Sequence, residues 1–513
     1  MLRSIRNIHR LLKIARILAR HDALFALERL KVTPLVVAIA RLASNAKAEG
    51  RPGQRLARAL SEAGPSFIKL GQTLSTRSDL LGEEMASDLS ELQDRLPAFP
   101  GVEARAIVVA EFDDEIEDMF QSFDDQAIAA ASIAQVHFAV TSDGREVAVK
   151  VLRPGIEDAL ERDLDLLHWL AGLAERARPE LRRLKPRQVI ELLVESVGME
   201  LDLRLEAAAG AELEENFAGD PSFVVPEIDW GRTGRRVLTT ERLIGIPLDD
   251  RDAIIAAGHD PQMIVEKAVH ATFKQIFEDG FFHADVHPGN LFVTESGDIG
   301  AVDFGIMGRL DLKTRRTLGE LLVAFLTRDY RKAAEVHFRA GWVPADRSVD
   351  HFTQACRSIG EPILDKPQNE ISVARLLGQL FQITETFQME TQPQLLLLQK
   401  TMLVAEGTAR TLCPEVNMWL IARPLIEDWM IKALGPEARV RDAVGGLAEA
   451  AERLPRLLDG LEEGASMIAS GQVRLHPETV RALRGDRKGT GLIAILWVTI
   501  ALLAGYMVIS NLT

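Results

Sequence analysis

Apolar residues recur at helical spacing through most of this chain and alternate like strands in only a few places. Three to four apolar positions per two turns predict helices over Phe67 to Leu81, Pro154 to Arg178 and Arg187 to Phe217. The same period returns in Gln262 to Asp279, Lys313 to Leu326, Tyr330 to Ala340, Ile371 to Phe381, Gln394 to Leu412 and Val416 to Ala433. Strand-like alternation is confined to Phe138 to Val140 and Glu146 to Leu152, turned by Asp143 and Gly144, and to Leu291 to Thr294 and Ile299 to Val302, turned by Ser296, Gly297 and Asp298. Val237 to Leu248 reads as a strand running into a connecting segment. The pattern is that of an α+β chain with one small strand-rich region and a long helical remainder.

The second hairpin lies inside HADVHPGNLFVTESGDIGAVDFG, His283 to Gly305, and folding it brings the two ends of that stretch together. A protein-kinase catalytic loop runs H-x-D-x-x-x-x-N and is followed by D-F-G; the first Asp orients the acceptor hydroxyl, and the Asn and second Asp hold magnesium. His283, Asp285 and Asn290 fit the first motif and Asp303, Phe304 and Gly305 the second. An amide and a carboxylate beside nucleotide phosphates are hard oxygen ligands of the kind magnesium takes. Upstream, the first hairpin ends in V-A-V-K at Lys150, where a kinase places the lysine that grips phosphates. That lysine needs a helical glutamate as partner; Glu200 and Glu206 are the candidates, and spacing does not choose between them. Before the hairpin, Ala129, Ala130 and Ala131 stand where a kinase has a glycine-rich loop, so methyl groups crowd the approach of phosphates.

Composition adds limits. At 47% hydrophobic and 26% charged, the 513 residues describe a folded protein long enough for two to four domains. A net charge of -15 argues against general nucleic-acid binding. Cys356 and Cys413, with no CxxC pair, support neither a disulfide framework nor a cysteine zinc site. Both ends point towards a membrane. Leu492 to Ile509 is almost wholly apolar and nothing charged occurs from Gly489 to Thr513, close to the roughly 20 residues a spanning helix requires. Arg481, Arg484, Arg487 and Lys488 precede it, which keeps the preceding domain in the cytoplasm. The first twenty residues carry Arg3, Arg6, Arg10, Lys13, Arg16 and Arg20 and no acid, interleaved with apolar positions. Three readings are open: a helix lying on anionic lipid, a helix packed on its own domain, or an organellar transit peptide.

Taken in order, these motifs resemble the UbiB family of atypical kinase-like proteins, accessory factors of ubiquinone (coenzyme Q) biosynthesis in bacteria and mitochondria. The resemblance covers roughly Phe67 to Arg309: K-x-G-Q at Lys69, Gly71 and Gln72, LQDR at Leu92 to Arg95, AAASIAQVH at Ala129 to His137, VAVK at Lys150, E-x-D at Glu200 and Asp202, HAD-x-HPGN from His283 to Asn290, and VDFG at Val302 to Gly305. Val286 stands where family members usually have proline, which should loosen that loop slightly, and one C-terminal membrane helix is predicted where many bacterial members have two.

The resemblance implies a kinase-like two-lobed fold with an N-terminal helical extension occluding the cleft. Asp285 is then the catalytic residue and Asn290 and Asp303 the metal ligands. Nucleotide falls to Ile128, Ala129, Ala130, Ala131 and Ser132, to Ile133, Ala134, Gln135 and Val136, to Lys150 with Glu206 as its partner, and to Glu241 and Leu243 in the segment between lobes. Lys69, Gly71 and Gln72 form the occluding helix and engage Glu200 and Asp202. The expected cofactors are ATP or ADP with magnesium; the expected partners are membrane lipids, quinone-like precursors and other quinone-biosynthesis proteins. The expected place is the bacterial inner membrane with the catalytic domain on its cytoplasmic face, or alternatively the mitochondrial inner membrane. The domains implied are basic helices over 1–50, the K-x-G-Q extension over 51–120, an N-lobe over 121–250, a helical C-lobe over 251–440, a linker over 441–488 and a membrane helix over 489–513. The function implied is ATP turnover that makes lipid-like precursors accessible, or phosphorylation of a small molecule. A regulatory protein kinase and a nucleotide-gated scaffold are the rivals.

Overall fold

The computed structural model describes residues 2–25, 49–75, 83–90, 92, 96–177, 186–362, 383, 386–389, 393–416 and 418–434. The predicted helix over 371–381, the LQDR segment apart from Leu92, the linker over 441–488 and the predicted membrane span over 489–513 lie outside these residues. Among the described residues no helix is long and apolar enough to cross a membrane. Residues up to Ala433 form one compact unit.

The strand-rich lobe is a five-stranded sheet in which Phe120–Phe123, Ala134–Thr141, Glu146–Leu152 and Val237–Glu241 lie side by side and Ala129–Ala130 adds to the second. Val147, Val149 and Val151 alternate inward and are at most 1% exposed, packing on Ala104, Ile107 and Val108 of the helix Gly101–Phe112. The alternate positions of the same strand point to its other face, where Leu152 is buried in the core with Ile133 and Ala134 and Lys150 reaches Glu206. In the other lobe Leu291–Val293 and Ile299–Ala301 form the predicted antiparallel hairpin, with Phe223–Val224 parallel to one side and Ile246–Pro247 on the other. A two-stranded ribbon, too short to leave a periodic signal, pairs Phe281–His283 with Met307–Arg309. It closes the ends of the 283–305 stretch on each other.

The helices run largely as the periodicity predicts, with informative exceptions. The expected helix from Arg187 to Phe217 is broken into Pro186–Glu200 and Leu203–Asn216, because Asp202 takes an extended conformation and its carboxylate accepts the Arg204 N–H as an N-cap. The helix before the catalytic stretch ends at Phe273 and gives way to a π-helical turn over Lys274–Asp279, stopped by Gly280 at φ +68°. There a Cβ would fall 2.6 Å from the Leu310 carbonyl oxygen. The helix Val349–Gly360, capped by Ser348, lies outside the predicted helices and joins Tyr330–Arg339 in a separate small core.

The basic N-terminal helix, Leu2–Arg20, bears on the three readings left open for it. Its apolar face is already covered: Leu11, Ile14, Ala15, Ile17, Leu18 and Ala19 are each at most 5% exposed and share a core with Leu56, Leu60, Phe67, Ile68 and Leu160. Each fully buried Leu or Ile is worth roughly 1.5–3 kcal/mol relative to water, and peeling the helix away would bare the Leu56, Leu60, Phe67 and Leu160 surface that it covers. Three of its cations are paired as well, Arg10 with Asp163, Arg6 with Asp165 and Arg20 with Glu62. The helix packed on its own domain is the reading that fits.

Candidate active site

The 283–305 stretch is held by backbone bonds. Ala284 N–H donates to Ile306 at 3.0 Å and Val302 N–H to Asn290 at 2.9 Å, so the ends of the two motifs meet. His283, 1% exposed, receives the Asp285 N–H on Nδ1 at 3.1 Å, which leaves Nε2 to donate to the Val302 carbonyl at 3.3 Å. Burial lowers its pKa and keeps the ring neutral. The Asn290 amide nitrogen donates to the Asp285 carbonyl at 3.1 Å, which fixes the side chain beside the catalytic loop. Asp303 adopts φ +65°, a left-handed backbone that a non-glycine residue rarely takes. The following Phe304 is 3% exposed and lies edge-on to the His283 ring. It packs so closely on Gly210 of the Leu203–Asn216 helix that a Cβ there would stand 2.9 Å from its ring.

Of the two candidate glutamates, Glu206 meets the strand lysine. Lys150 Nζ lies 2.7 and 2.9 Å from its two carboxylate oxygens and 3.1 Å from Asp303 Oδ1. One ammonium thus serves two carboxylates. Burial raises the more enclosed acid, Glu206, against the pull of Lys150, to about 7, with Asp303 adding to the rise. Burial also works to raise Asp303, but the Lys150 ammonium outweighs it and holds this carboxyl at about 2, although 45% of the side chain is open to the cleft. Burial alone would lower Lys150, and the two carboxylates overcome it and raise its pKa.

Lys69 reaches from the helix Pro65–Ser75 to Glu200, 2.7 Å away, with both side chains nearly buried. Its positive charge also helps lower the Asp303 pKa, a smaller effect than those of burial, Lys150 and His283. Other parts of the expected set fall elsewhere. Asp202 does not engage Lys69; it pairs with Arg204 at 2.6 Å and caps the Glu206 helix. Gly71 makes room for the side chains of Leu92 and Leu60, 2.6 and 2.9 Å from its notional Cβ, and not for a second backbone. Gln72 is half-buried on the same helix. Val286 is 7% exposed in the C-lobe core, so packing anchors the loop that replacement of proline was expected to loosen.

The alanine-rich segment forms a tight β-hairpin and not a helix start. Ala129 and Ala130 pair with Val136 and Gln135, and the Ala131 N–H closes the turn on the Ala134 carbonyl at 2.8 Å. No residue from Ile128 to Val136 has positive φ, so alanine fits without strain. Arg153, unnoticed in the sequence, pins the turn with two bonds to the Ala131 carbonyl at 2.9 and 2.7 Å. Ser132, Ile133 and Ala134 point inward, all at most 8% exposed. Gln135 is 1% exposed and its amide is bound to both backbone groups of Phe99; Ile128, Ala129, Ala130, Ala131 and Val136 form the accessible part. Glu241 ends the last strand of the sheet, its N–H bonded to Glu227, and Leu243 packs over Gly300 at the crossing between lobes.

The largest omission is Lys400. Its ammonium lies 3.0 Å from Asp285 Oδ1, brought from the helix Pro393–Leu412.

A lysine–glutamate pair on sheet and helix, an Asp–Asn loop and a left-handed D-F-G aspartate joined in one cleft define an atypical kinase-like protein. Comparison with known proteins agrees: the ABC1 atypical kinase-like domain matches residues 91–337 and the UbiB helical domain residues 356–417. The chain is 42% identical over 422 residues to a "Probable protein kinase UbiB" of Marinobacter nauticus, spanning 82% of this chain and 77% of that one. It is 44% identical over 407 residues to the protein so named in Azotobacter vinelandii, with 79% and 75% covered. Among solved structures, that of the Mycobacterium tuberculosis Rv3197–erythromycin complex superposes with a TM-score of 0.51 at 26% identity, covering 72% of this chain and 94% of that one. The chain belongs to the UbiB family.

Proposed function

We propose that this protein is an ATP-dependent enzyme supporting ubiquinone biosynthesis, which uses nucleotide turnover to make lipid-like quinone precursors accessible or to phosphorylate a small molecule. The observation that carries the reading is the Lys150–Glu206–Asp303 cluster, in which one lysine is shared by two carboxylates. That surplus of negative charge, beside an open cleft, is what a metal–nucleotide complex would balance. Membership of the UbiB family, whose relatives are named "Probable protein kinase UbiB", together with the motif resemblance supplies the link to quinone synthesis.

The residues present fit magnesium. Among the described residues no group of three or more His, Cys, Asp or Glu side chains gathers as a complete cage, whereas one carboxylate and one amide oxygen, from Asp303 and Asn290, suit an ion that takes its other ligands from phosphates and water. When bound, such an ion would neutralise charge on the phosphate oxygens. Lys150, oriented by Glu206, holds phosphates, and Asp285 orients water or an acceptor hydroxyl. The Lys69 helix over the cleft disfavours a bulky peptide acceptor. The predicted apolar tail and its basic flank would bring the site to the cytoplasmic face of a membrane.

The test is phosphate release from magnesium-ATP by the full chain in anionic lipid vesicles, with and without a phenolic quinone-precursor mimic. Stimulation by vesicles and phenol that is lost in Asp285→Asn supports the reading. Bound nucleotide with no phosphate release under any condition would replace it by a non-catalytic scaffold.

A further inference from the structure

The loop between Asp285 and Asn290 reads Val286, His287, Pro288, Gly289 and contains neither lysine nor arginine. Its one basic ring is committed, since His287 Nδ1 accepts the Gly289 N–H at 3.0 Å where it caps the turn Pro288–Asn290. Phosphoryl transfer nonetheless needs positive charge at the transferred group, and Asp285 adds a negative one beside it. Lys150 is shared by Glu206 and Asp303, and Lys69 lies against Glu200. Lys400 is the cation placed at the catalytic loop itself.

Its surroundings argue against a merely structural salt bridge. The Lys400 and Asp285 side chains are 38% and 35% exposed, and a pair this open adds at most about 1 kcal/mol to stability. The helix that carries Lys400 is, by contrast, firmly set. Thr401 is 1% exposed, and Ala409 and Leu412 pack into the core that also holds Val286 and Leu291, the neighbours of Asp285 and Asn290. A partly exposed ammonium on a firmly packed helix, 3.0 Å from Asp285, is how a charge is presented to a substrate.

We propose that Lys400 is a catalytic residue of the phosphotransfer site: in the empty cleft it rests on Asp285, and with nucleotide bound it moves to the transferring phosphoryl group and frees that carboxylate. The inference rests on the ATP-turnover reading above. In the step, the bond from the γ-phosphorus to the bridging oxygen breaks with its electron pair left on ADP. A bond forms to the oxygen of water or an acceptor, whose proton passes to Asp285. Lys400 compensates charge on the moving phosphoryl and exchanges no proton. The UbiB helical domain, residues 356–417, thereby completes the active site.

The test compares wild type with Lys400→Met, Lys400→Arg and the control Thr401→Val, measuring kcat and KM for ATP, nucleotide affinity and melting temperature of the full chain. Lys400→Met should lower kcat by roughly 100-fold, the scale found on removing one charge-stabilising donor, with KM for ATP altered about threefold or less. Lys400→Arg should recover much of the loss, and Thr401→Val should turn over like wild type. A Lys400→Met enzyme within threefold of wild-type kcat overturns the proposal. So does a variant in which affinity, melting temperature and kcat fall together, or an inactive Lys400→Arg of wild-type stability. Wild type that binds ATP without turnover overturns the underlying reading instead, and does so before any variant is examined.

Discussion

Asp163 is the point at which the N-terminal helix, the K-x-G-Q helix and the inserted helix Ile156–Ala177 are fastened together, and removing its carboxylate has a calculable cost. Its oxygens accept from Arg10 at 2.7 and 2.8 Å and from the Ser66 hydroxyl at 2.9 Å. The Asp163 side chain is 5% exposed and that of Arg10 28%. Asp163→Ala leaves the guanidinium without its anion and the buried Ser66 hydroxyl without an acceptor. Breaking a buried pair from one side costs about 3–5 kcal/mol, and the partial exposure of Arg10 favours the lower end, about 3 kcal/mol. At roughly 1 °C per kcal/mol for a compact unit of this length, the melting temperature should fall by about 3 °C. Arg6→Ala is the internal comparison: Arg6 lies on the same helix, but at 56% exposure its bond to Asp165 is worth about 0.5 kcal/mol or less. Thermal melting of the full chain measures both, and limited proteolysis reports whether Leu2–Arg20 is released. Ser66 is one turn from Lys69, so the loosened helix should also weaken the Lys69–Glu200 contact. Equal small shifts in the two variants would refute the claim that the buried carboxylate is the fastening.

Two further outcomes follow from the cluster. The folded-state pKa of Glu206 is raised, so its contribution to stability is fully present below pH 4.5 and is lost as pH rises through about 7; Asp303, held low, contributes above pH 3.8 and loses its contribution as pH falls through about 2. The melting-temperature advantage of wild type over Glu206→Gln should therefore shrink from pH 5 to pH 8, and a gap that stays constant would contradict the burial argument. Gly210→Ala drives a methyl group into Phe304, with an overpacking cost of about 1–3 kcal/mol and a loss of turnover larger than that of stability, because Asp303 is displaced with its neighbour. Melting and phosphate release on the same preparation separate the two effects.

The sequence shows the chemistry better than its supports. The ordered motifs at Lys150, Asp285, Asn290 and Asp303 were readable because each catalytic type sits at fixed spacing within one hairpin or at one strand end. The choice of Glu206 over Glu200 came only with the family resemblance, since both acids lie on what reads as a single helix; the N-cap signal of Asp202 marks the break. Periodicity revealed that Leu2–Arg20 has an apolar face but not what covers it, and acids two residues apart at Asp163 and Asp165 were the available hint. Lys400 had no signal. It stands 115 residues beyond Asp285 in QLLLLQKTMLV, a stretch that reads as an ordinary buried helix, and only tertiary packing carries it to the loop.

The central claim is that this cleft turns nucleotide over through Asp285, and it is met most directly by measuring magnesium-ATP affinity and phosphate release together on wild type and Asp285→Asn. Affinity within a few-fold of wild type and turnover abolished is the expected pair of results. Retained turnover in Asp285→Asn would contradict the assignment, because phosphate would then be leaving by a route that does not need this carboxylate.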